Sequence, residues 1–346
     1  MEIVAYGVLA DEEPLLRESF DRVFAGSHEL RCLGLFLDRD TAPTAEGHEV
    51  VLSGVNDTLD AEVLRALADG GTRMIAQRAT GFNNIDLTVA EELGLTVARV
   101  SYYSPYSVAE FAWALALAVD RRIVRAAHRT REFDFRLDGL MGRDLHGRTA
   151  GIMGTGKIGT AFARIAHGFG MRLLGWDINE NPECLALGMR YVEPERLLAE
   201  SDLVSLHVPL LPSTHHLVDA EALALMKNDA ILINTSRGGL IDTGALLDTL
   251  RAGKPAGVGL DVYEEEAGLF FLDKSLEVMT DERLARLMTF NNVLVTSHQA
   301  YFTRDAVEQI AETTVRNIED YFAGRTGDNT LVGPFASGHD GKAFSR

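Results

Sequence analysis

Thr149-Ala150-Gly151-Ile152-Met153-Gly154-Thr155-Gly156-Lys157-Ile158-Gly159 is the stretch on which the fold turns. Residues 149 to 153 suit a buried strand and Lys157 to Phe169 suit a helix, so Gly154-x-Gly156-x-x-Gly159 falls between the two. In that context the first glycine permits a tight turn and the second lets backbone approach a pyrophosphate. The third lets helix close on strand, with the anion at the helix N-terminus. Gly151 and Gly156-Lys157 nearly spell a P-loop as well. Ile158 has no hydroxyl for Mg²⁺, so kinase and ATPase chemistry is set aside. The bland alternative is a glycine-rich turn without ligand.

The next strand, Met171 to Asp177, ends on a carboxylate 18 residues after Gly159. An acid there accepts hydrogen bonds from an adenosine ribose and repels a 2′-phosphate, and Ile178 and Asn179 follow in place of an arginine. NAD is therefore expected over NADP.

Working outward, strands are read at Leu203 to Val208, Ala230 to Thr235, Gly257 to Val262 and Asn292 to Ser297. Helices are read at Ala220 to Met226, Gly244 to Ala252 and Thr303 to Ala323. A separate series precedes the turn. Its strands are Ile3 to Gly7, Leu30 to Phe36, Val50 to Ser53, Met74 to Arg78 and Leu95 to Val100, and its helices are Pro14 to Phe24, Asp60 to Ala68 and Asp86 to Leu93. Such alternation makes an α/β protein with parallel sheets covered by helices. One long helix, Tyr106 to Glu132, joins the series; it is apolar first and Arg-rich later. It reads as an interdomain spine or subunit contact, or as a plain core helix with a basic end. Beyond Gly333 a loose tail is expected.

The 346 residues suit two domains. A net charge of −18 disfavours nucleic acid and anionic membranes as partners. Only Cys32 and Cys184 are present, in no metal-ligand spacing. No metal is expected, and the cysteine usage fits a reducing compartment. Met1 to Ala10 has no basic segment, and the most apolar run, Phe111 to Val119, is too short to span a bilayer. A cytoplasmic protein is expected.

Ligands of open α/β sheets bind beyond the carboxyl ends of strands. Just past those ends lie Arg237, Asp261, the triplet Glu264-Glu265-Glu266 and His298, and in the first series Thr80-Gly81 and Tyr103. The set suits hydride chemistry on a 2-oxo acid. A guanidinium holds a carboxylate or polarises a ketone. An imidazole gives a proton to the developing alkoxide. A glutamate orients that imidazole and favours its charged form, and backbone N–H groups bind the carboxylate. Each has a bland counterpart: surface arginine, solvated acidic turn, unremarkable histidine. His207, His215 and His216 are read as structural or surface. Serine-hydrolase and zinc-enzyme motifs are absent from the sequence.

Taken in order, Ala79-Thr80-Gly81-Phe82-Asn83-Asn84-Ile85-Asp86, Gly154 to Gly159, Asn234-Thr235-Ser236-Arg237-Gly238-Gly239, Gly259-Leu260-Asp261-Val262-Tyr263-Glu264, Gly268-Leu269-Phe270-Phe271 and His298-Gln299-Ala300 run over nearly the whole chain. In this order they resemble the D-isomer-specific 2-hydroxyacid dehydrogenases, the fermentative D-lactate dehydrogenases above all. The resemblance implies two doubly wound parallel-sheet domains with an active-site cleft between them. One is a flavodoxin-like substrate domain of residues 1–103 plus 300–346, the other a Rossmann NAD domain of residues 104–299. It implies His298 as acid/base, Glu266 as its partner (five residues after Asp261) and Arg237 as the substrate cation. Tyr103 and the Thr80-Gly81 backbone would meet the 2-oxo acid or D-2-hydroxy acid. Lys157, Ile158, Asp177, Val208, Pro209, Thr214, Thr235, Ser236 and Asp261 would line the NAD site. The long helix would help to form a homodimer.

Two positions depart from close relatives. Gly54 stands where they carry a bulky aromatic, and Tyr301, a further substrate-contacting position, stands where they carry phenylalanine. A pocket for 2-oxo acids larger than pyruvate is one consequence; a neighbour such as Leu52 filling the gap is the other. Two rivals stand beside D-lactate dehydrogenase chemistry: a dehydrogenase for glycerate-type or phosphorylated acids, and a non-catalytic NAD-sensing protein of the corepressor kind. The intact Arg237, Glu266 and His298 set speaks against the latter.

Overall fold

The computed structural model describes residues 2–325 and 327–333. The tail expected beyond Gly333 lies outside the described residues. Contacts divide the chain into two compact units, one running to Ser104 and resuming at Phe302, the other Pro105–Tyr301.

In the first unit, strands β1 (Glu2–Ala5), β2 (Glu29–Cys32), β3 (Val50–Ser53), β4 (Met74–Gln77) and β5 (Thr96–Arg99) are parallel, in the order β2-β1-β3-β4-β5. That is the flavodoxin-like winding. All residues of β3 and β4 are buried because helices cover both faces. Leu16, Phe20 and Phe24 of the helix Glu13–Phe24 join Ala311, Val315 and Ile318 of the helix Arg304–Phe322 on one side. Val63, Leu64 and Leu67 of the helix Ala61–Asp69 cover the other. Each of these side chains larger than alanine contributes roughly 1.5–3 kcal/mol by leaving water. The Asp60 side chain starts that second helix by accepting from the Glu62 and Val63 N–H groups. One strand of this sheet was not read from sequence, as Arg190–Tyr191 was not in the other: Thr330–Val332 pairs antiparallel with β5, so this sheet is parallel except at its edge.

The second unit holds β6 (Thr149–Met153), β7 (Arg172–Trp176), β8 (Arg190–Tyr191), β9 (Leu203–Leu206), β10 (Ile231–Asn234), β11 (Gly257–Leu260) and β12 (Val293–Val295). Their order is β8-β7-β6-β9-β10-β11-β12, all parallel. This is the Rossmann winding, with its strand order reversing between β6 and β9. The helix Lys157–Gly168 opens at the glycine turn. Trp113 stacks on Phe162 and Phe169 at 4.9 and 4.6 Å and donates its indole N–H to Phe162 O, locking that helix in place.

The single helix expected over Tyr106 to Glu132 is two, Pro105–Asp120 and Ile123–Arg131. Arg122 between them adopts a left-handed φ of 53° and donates through its guanidinium to Ala256 O. The buried Asp120 carboxylate turns sideways to accept from Arg143. Neither glycine nor proline marks the break, because tertiary partners make it. The short helices Pro182–Ala186, Pro194–Glu200 and Glu282–Met288 also escaped the sequence reading. No helix among the described residues is long and apolar enough to cross a membrane.

Candidate active site

The glycine turn is built as its spacing predicts. Gly154 takes φ 93°, and a side chain there would sit 2.6 Å from the His207 carbonyl. A Cβ at Gly159 would meet Gly154 O at 1.9 Å, so helix and turn touch only because both are glycine. At Gly156, the residue that opens the helix, a Cβ would meet nothing within 4 Å, leaving the backbone open to an approaching group. Below the turn, burial pushes the His207 imidazole down to about 3, so it stays neutral, with Nε2 2.9 Å from Ser205 Oγ.

Asp177 follows β7 and accepts at Oδ2 from the Thr155 N–H (2.6 Å) and hydroxyl (3.2 Å). Thr155 belongs to a polar network that the sequence did not disclose. Tyr191 Oη donates to its Oγ1, and Asn181 Nδ2 donates to its carbonyl and to Thr160 Oγ1. Past β9 and β10, Ser236 Oγ donates to Val208 O and Thr214 Oγ1 to Pro209 O. The hydroxyl of Thr235 is buried without a hydrogen-bond partner. Such a donor wants a ligand atom. An orphaned hydroxyl just past β10, an open Gly156 and an acid after β7 together fit a dinucleotide. Ile158 packs its aliphatic chain on the core, and Lys157 is the first residue of the helix.

The strands β10, β11 and β12 are parallel neighbours, so their carboxyl ends share one edge. Arg237 lies three residues past β10, Glu266 six past β11 and His298 three past β12. Asn234, fully buried, shapes the first turn by accepting from Ser236 N–H and donating to Arg237 O. The Arg237 guanidinium donates to Ser236 O at 2.7 Å. His298 has a left-handed φ of 55° and donates its backbone N–H to Asp261 O. Its Nδ1 lies 2.8 Å from Glu266 Oε1, both side chains being largely buried. Hence Nδ1 carries a proton and Nε2 is the ring atom left for chemistry.

Asp261 is fully buried, and both carboxylate oxygens face inward: Oδ1 accepts from Thr296 Oγ1 and Gln299 N–H, Oδ2 from Ala300 N–H. Burial raises its carboxyl above the ordinary range against those bonds. It holds the His298 turn from beneath. Of the glutamate triplet, Glu266 meets His298, Glu264 meets His216, and Glu265 lies outside near Arg283 at 3.9 Å. Of the histidines read as structural or surface, His207 is under the glycine turn and His216 is hydrogen-bonded to Glu264.

Among the described residues, one cluster, His215, His216 and Glu264, brings three potential metal-ligand atoms within 4.8 Å. The two imidazoles stack at 3.9 Å with planes 27° apart, so their in-plane lone pairs run side by side and do not converge on one ion.

Thr80, Gly81 and Tyr103 belong to the first unit, just beyond β4 and β5, and Arg99 donates to Thr80 O. A Cβ at Gly54 would find only Arg78 Nη2 at 3.8 Å and Asp57 Oδ2 at 3.9 Å, and Leu52 is committed to the core. Leu52 therefore does not fill the space of the missing aromatic. Tyr301 closes the second unit.

Known proteins agree with this architecture. The sequence model of the D-isomer specific 2-hydroxyacid dehydrogenase NAD binding domain matches residues 113–300. D-lactate dehydrogenase of Escherichia coli is 46% identical over 304 residues, 88% of this chain and 92% of that protein. Its apo structure superposes with a TM-score of 0.87, covering 96% of this chain and all of that one. D-lactate dehydrogenase kk1H of Curvularia clavata is 47% identical over 88% of this chain and 87% of that protein. The structure of D-lactate dehydrogenase from Aquifex aeolicus in complex with NAD and lactic acid has a TM-score of 0.84 at 32% identity, covering 96% and 99% of the two chains. With a 3-2-1-4 winding, a G-x-G-x-x-G turn and a His–Glu pair at neighbouring strand ends already in place, the chain belongs to the D-isomer-specific 2-hydroxyacid dehydrogenases.

Proposed function

We propose that this protein reduces a 2-oxo acid to the D-2-hydroxy acid with NADH, pyruvate being the reference substrate and bulkier acids such as phenylpyruvate also fitting. The observation that carries this is the 2.8 Å contact between His298 Nδ1 and Glu266 at the strand edge that also bears Arg237.

NADH, when bound, supplies the hydride. Gly154, Gly156, Gly159 and Lys157 would hold its diphosphate. Asp177 would meet its ribose, and Ile158, Val208, Pro209, Thr214, Thr235 and Ser236 would line the rest, with the inward-facing Asp261 supporting the site from beneath. Arg237 binds the substrate carboxylate with its fork and polarises the ketone. Thr80, Gly81, Tyr103 and Tyr301 contact the substrate as well. His298 holds a proton at Nε2 for the nascent alkoxide, and Glu266 stabilises the cationic ring. In the reverse direction the neutral ring takes the proton back. Gly54, with Leu52 turned into the core, favours acids larger than pyruvate.

Free thiols at Cys32 and Cys184 fit a cytoplasmic setting. Phe133, Phe135, Leu137 and Met141, 70–91% exposed, follow the second half of the broken helix. An apolar strip of this kind supports a homodimer.

NADH oxidation with pyruvate, phenylpyruvate, hydroxypyruvate and a phosphorylated 2-oxo acid tests the reading. Turnover of pyruvate or phenylpyruvate with D-product is expected. Activity confined to hydroxypyruvate or the phosphorylated acid moves the protein to the glycerate-type class, and no turnover with NADH bound favours the sensor.

A further inference from the structure

His216 lies outside the proposed reacting set, yet it sits where three loops meet. It follows β9, takes a left-handed φ of 53°, and donates its backbone N–H to Gly239 O in the turn that begins at Arg237. Its ring crosses to the loop after β11, with Nε2 2.5 Å from Glu264 Oε1, and Nδ1 faces Asp242 Oδ2 at 4.0 Å. The other Glu264 oxygen accepts from Thr243 N–H, at the start of the helix Thr243–Arg251. Glu264 is two residues from Glu266, whose Oε2 accepts from Tyr263 N–H. The backbones of these loops abut: a Cβ at Gly238 would lie 2.0 Å from the Tyr263 carbonyl carbon and 2.3 Å from Glu264 N.

A non-glycine residue in the left-handed region persists only where its surroundings hold it there. Here the holding partners belong to the two loops that carry Arg237 and Glu266. We propose that His216 is a positioning residue, clasping the Arg237 turn to the Glu266 loop through Glu264. The claim rests on the reading of Arg237, Glu266 and His298 given above. Burial works to raise the Glu264 carboxyl, but the bonds from His216 and Thr243 outweigh it and hold the group below its ordinary range, so the clasp is a charged one. The charged groups facing His298 are Glu266 and the buried Asp261, both on the loop after β11 that the clasp restrains.

Initial rates with NADH and pyruvate, or phenylpyruvate if turned over faster, test this in wild type, His216→Ala, His216→Gln and Glu264→Gln. Gln places its amide nitrogen where the imidazole Nε2 lies, so it keeps the bond to Glu264. His216→Ala should raise the 2-oxo acid KM about ten-fold, with the NADH KM within about two-fold. His216→Gln should restore the 2-oxo acid KM. An unchanged 2-oxo acid KM in His216→Ala, or no recovery in His216→Gln, overturns the clasp. If His216→Ala does not fold, Glu264→Gln decides: the same KM shift in milder form supports the clasp, and wild-type values reject it. His298→Asn, run alongside, separates the two levels. Normal His216→Ala with dead His298→Asn removes only the clasp, whereas active His298→Asn removes the underlying reading.

Discussion

Glu266 divides its carboxylate between His298 and its own loop, Oε1 lying 2.8 Å from His298 Nδ1 while Oε2 accepts the Tyr263 N–H at 3.1 Å. The acid is thereby fixed before it meets the imidazole. Replacing Glu266 by Gln keeps the size and an acceptor but removes the charge that favours the protonated ring. Reduction should fall at least about ten-fold. Stopped-flow reduction measures this, and a full rate contradicts the role given to Glu266.

Arg237→Lys conserves charge and loses the planar fork. A hydrogen bond to a charged group is worth about 1.5–3 kcal/mol, so kcat/KM for the 2-oxo acid should fall about ten- to a hundred-fold. The NADH KM should hold. Steady-state kinetics checks both, and near-wild-type turnover removes Arg237 from the site.

Asp177 already accepts two bonds from Thr155, which aims its carboxylate at the end of β7. Asp177→Ser removes the charge that repels a 2′-phosphate, and the kcat/KM ratio of NADPH to NADH should rise. An unchanged ratio places the ribose elsewhere.

Asp57 in the first unit should make folding depend on pH. Burial pushes its carboxyl up to about 6 from 3.8, even though the Leu37 and Gly54 N–H groups donate to it and Arg78 lies near. Between those two values the native state holds a proton that the unfolded chain has lost. Its contribution is therefore complete below pH 3.8 and disappears as pH rises through 6. The shift is on the order of 3 kcal/mol. Urea unfolding at pH 4.5 and 7.5 should show the wild type losing more stability than Asp57→Asn over that interval. Equal losses contradict the raised carboxyl.

Much of this was legible because local chemistry and tertiary role coincide. Gly154, Gly156 and Gly159 fall between a readable strand and a readable helix, and the runs at Val50–Ser53 and Thr149–Met153 became strands with those bounds. Glu266 could be chosen over Glu264 and Glu265 only through the family pattern. The break at Arg122 was illegible, since its cause is Ala256, 134 residues away. The clasp at His216 was likewise hidden: a histidine next to another histidine looks like a surface residue until the loop after β11 folds over it. The antiparallel edge strand Thr330–Val332 is three residues long and has no periodicity to read.

The most direct test is reduction by the His298→Asn variant, in which the side chain keeps a donor near Glu266 but has no proton to give at the Nε2 position. NADH oxidation with pyruvate or phenylpyruvate should fall by at least about a hundred-fold while NADH still binds with its wild-type affinity. A variant that reduces the same acid at close to the wild-type rate would show that His298 is not the proton donor.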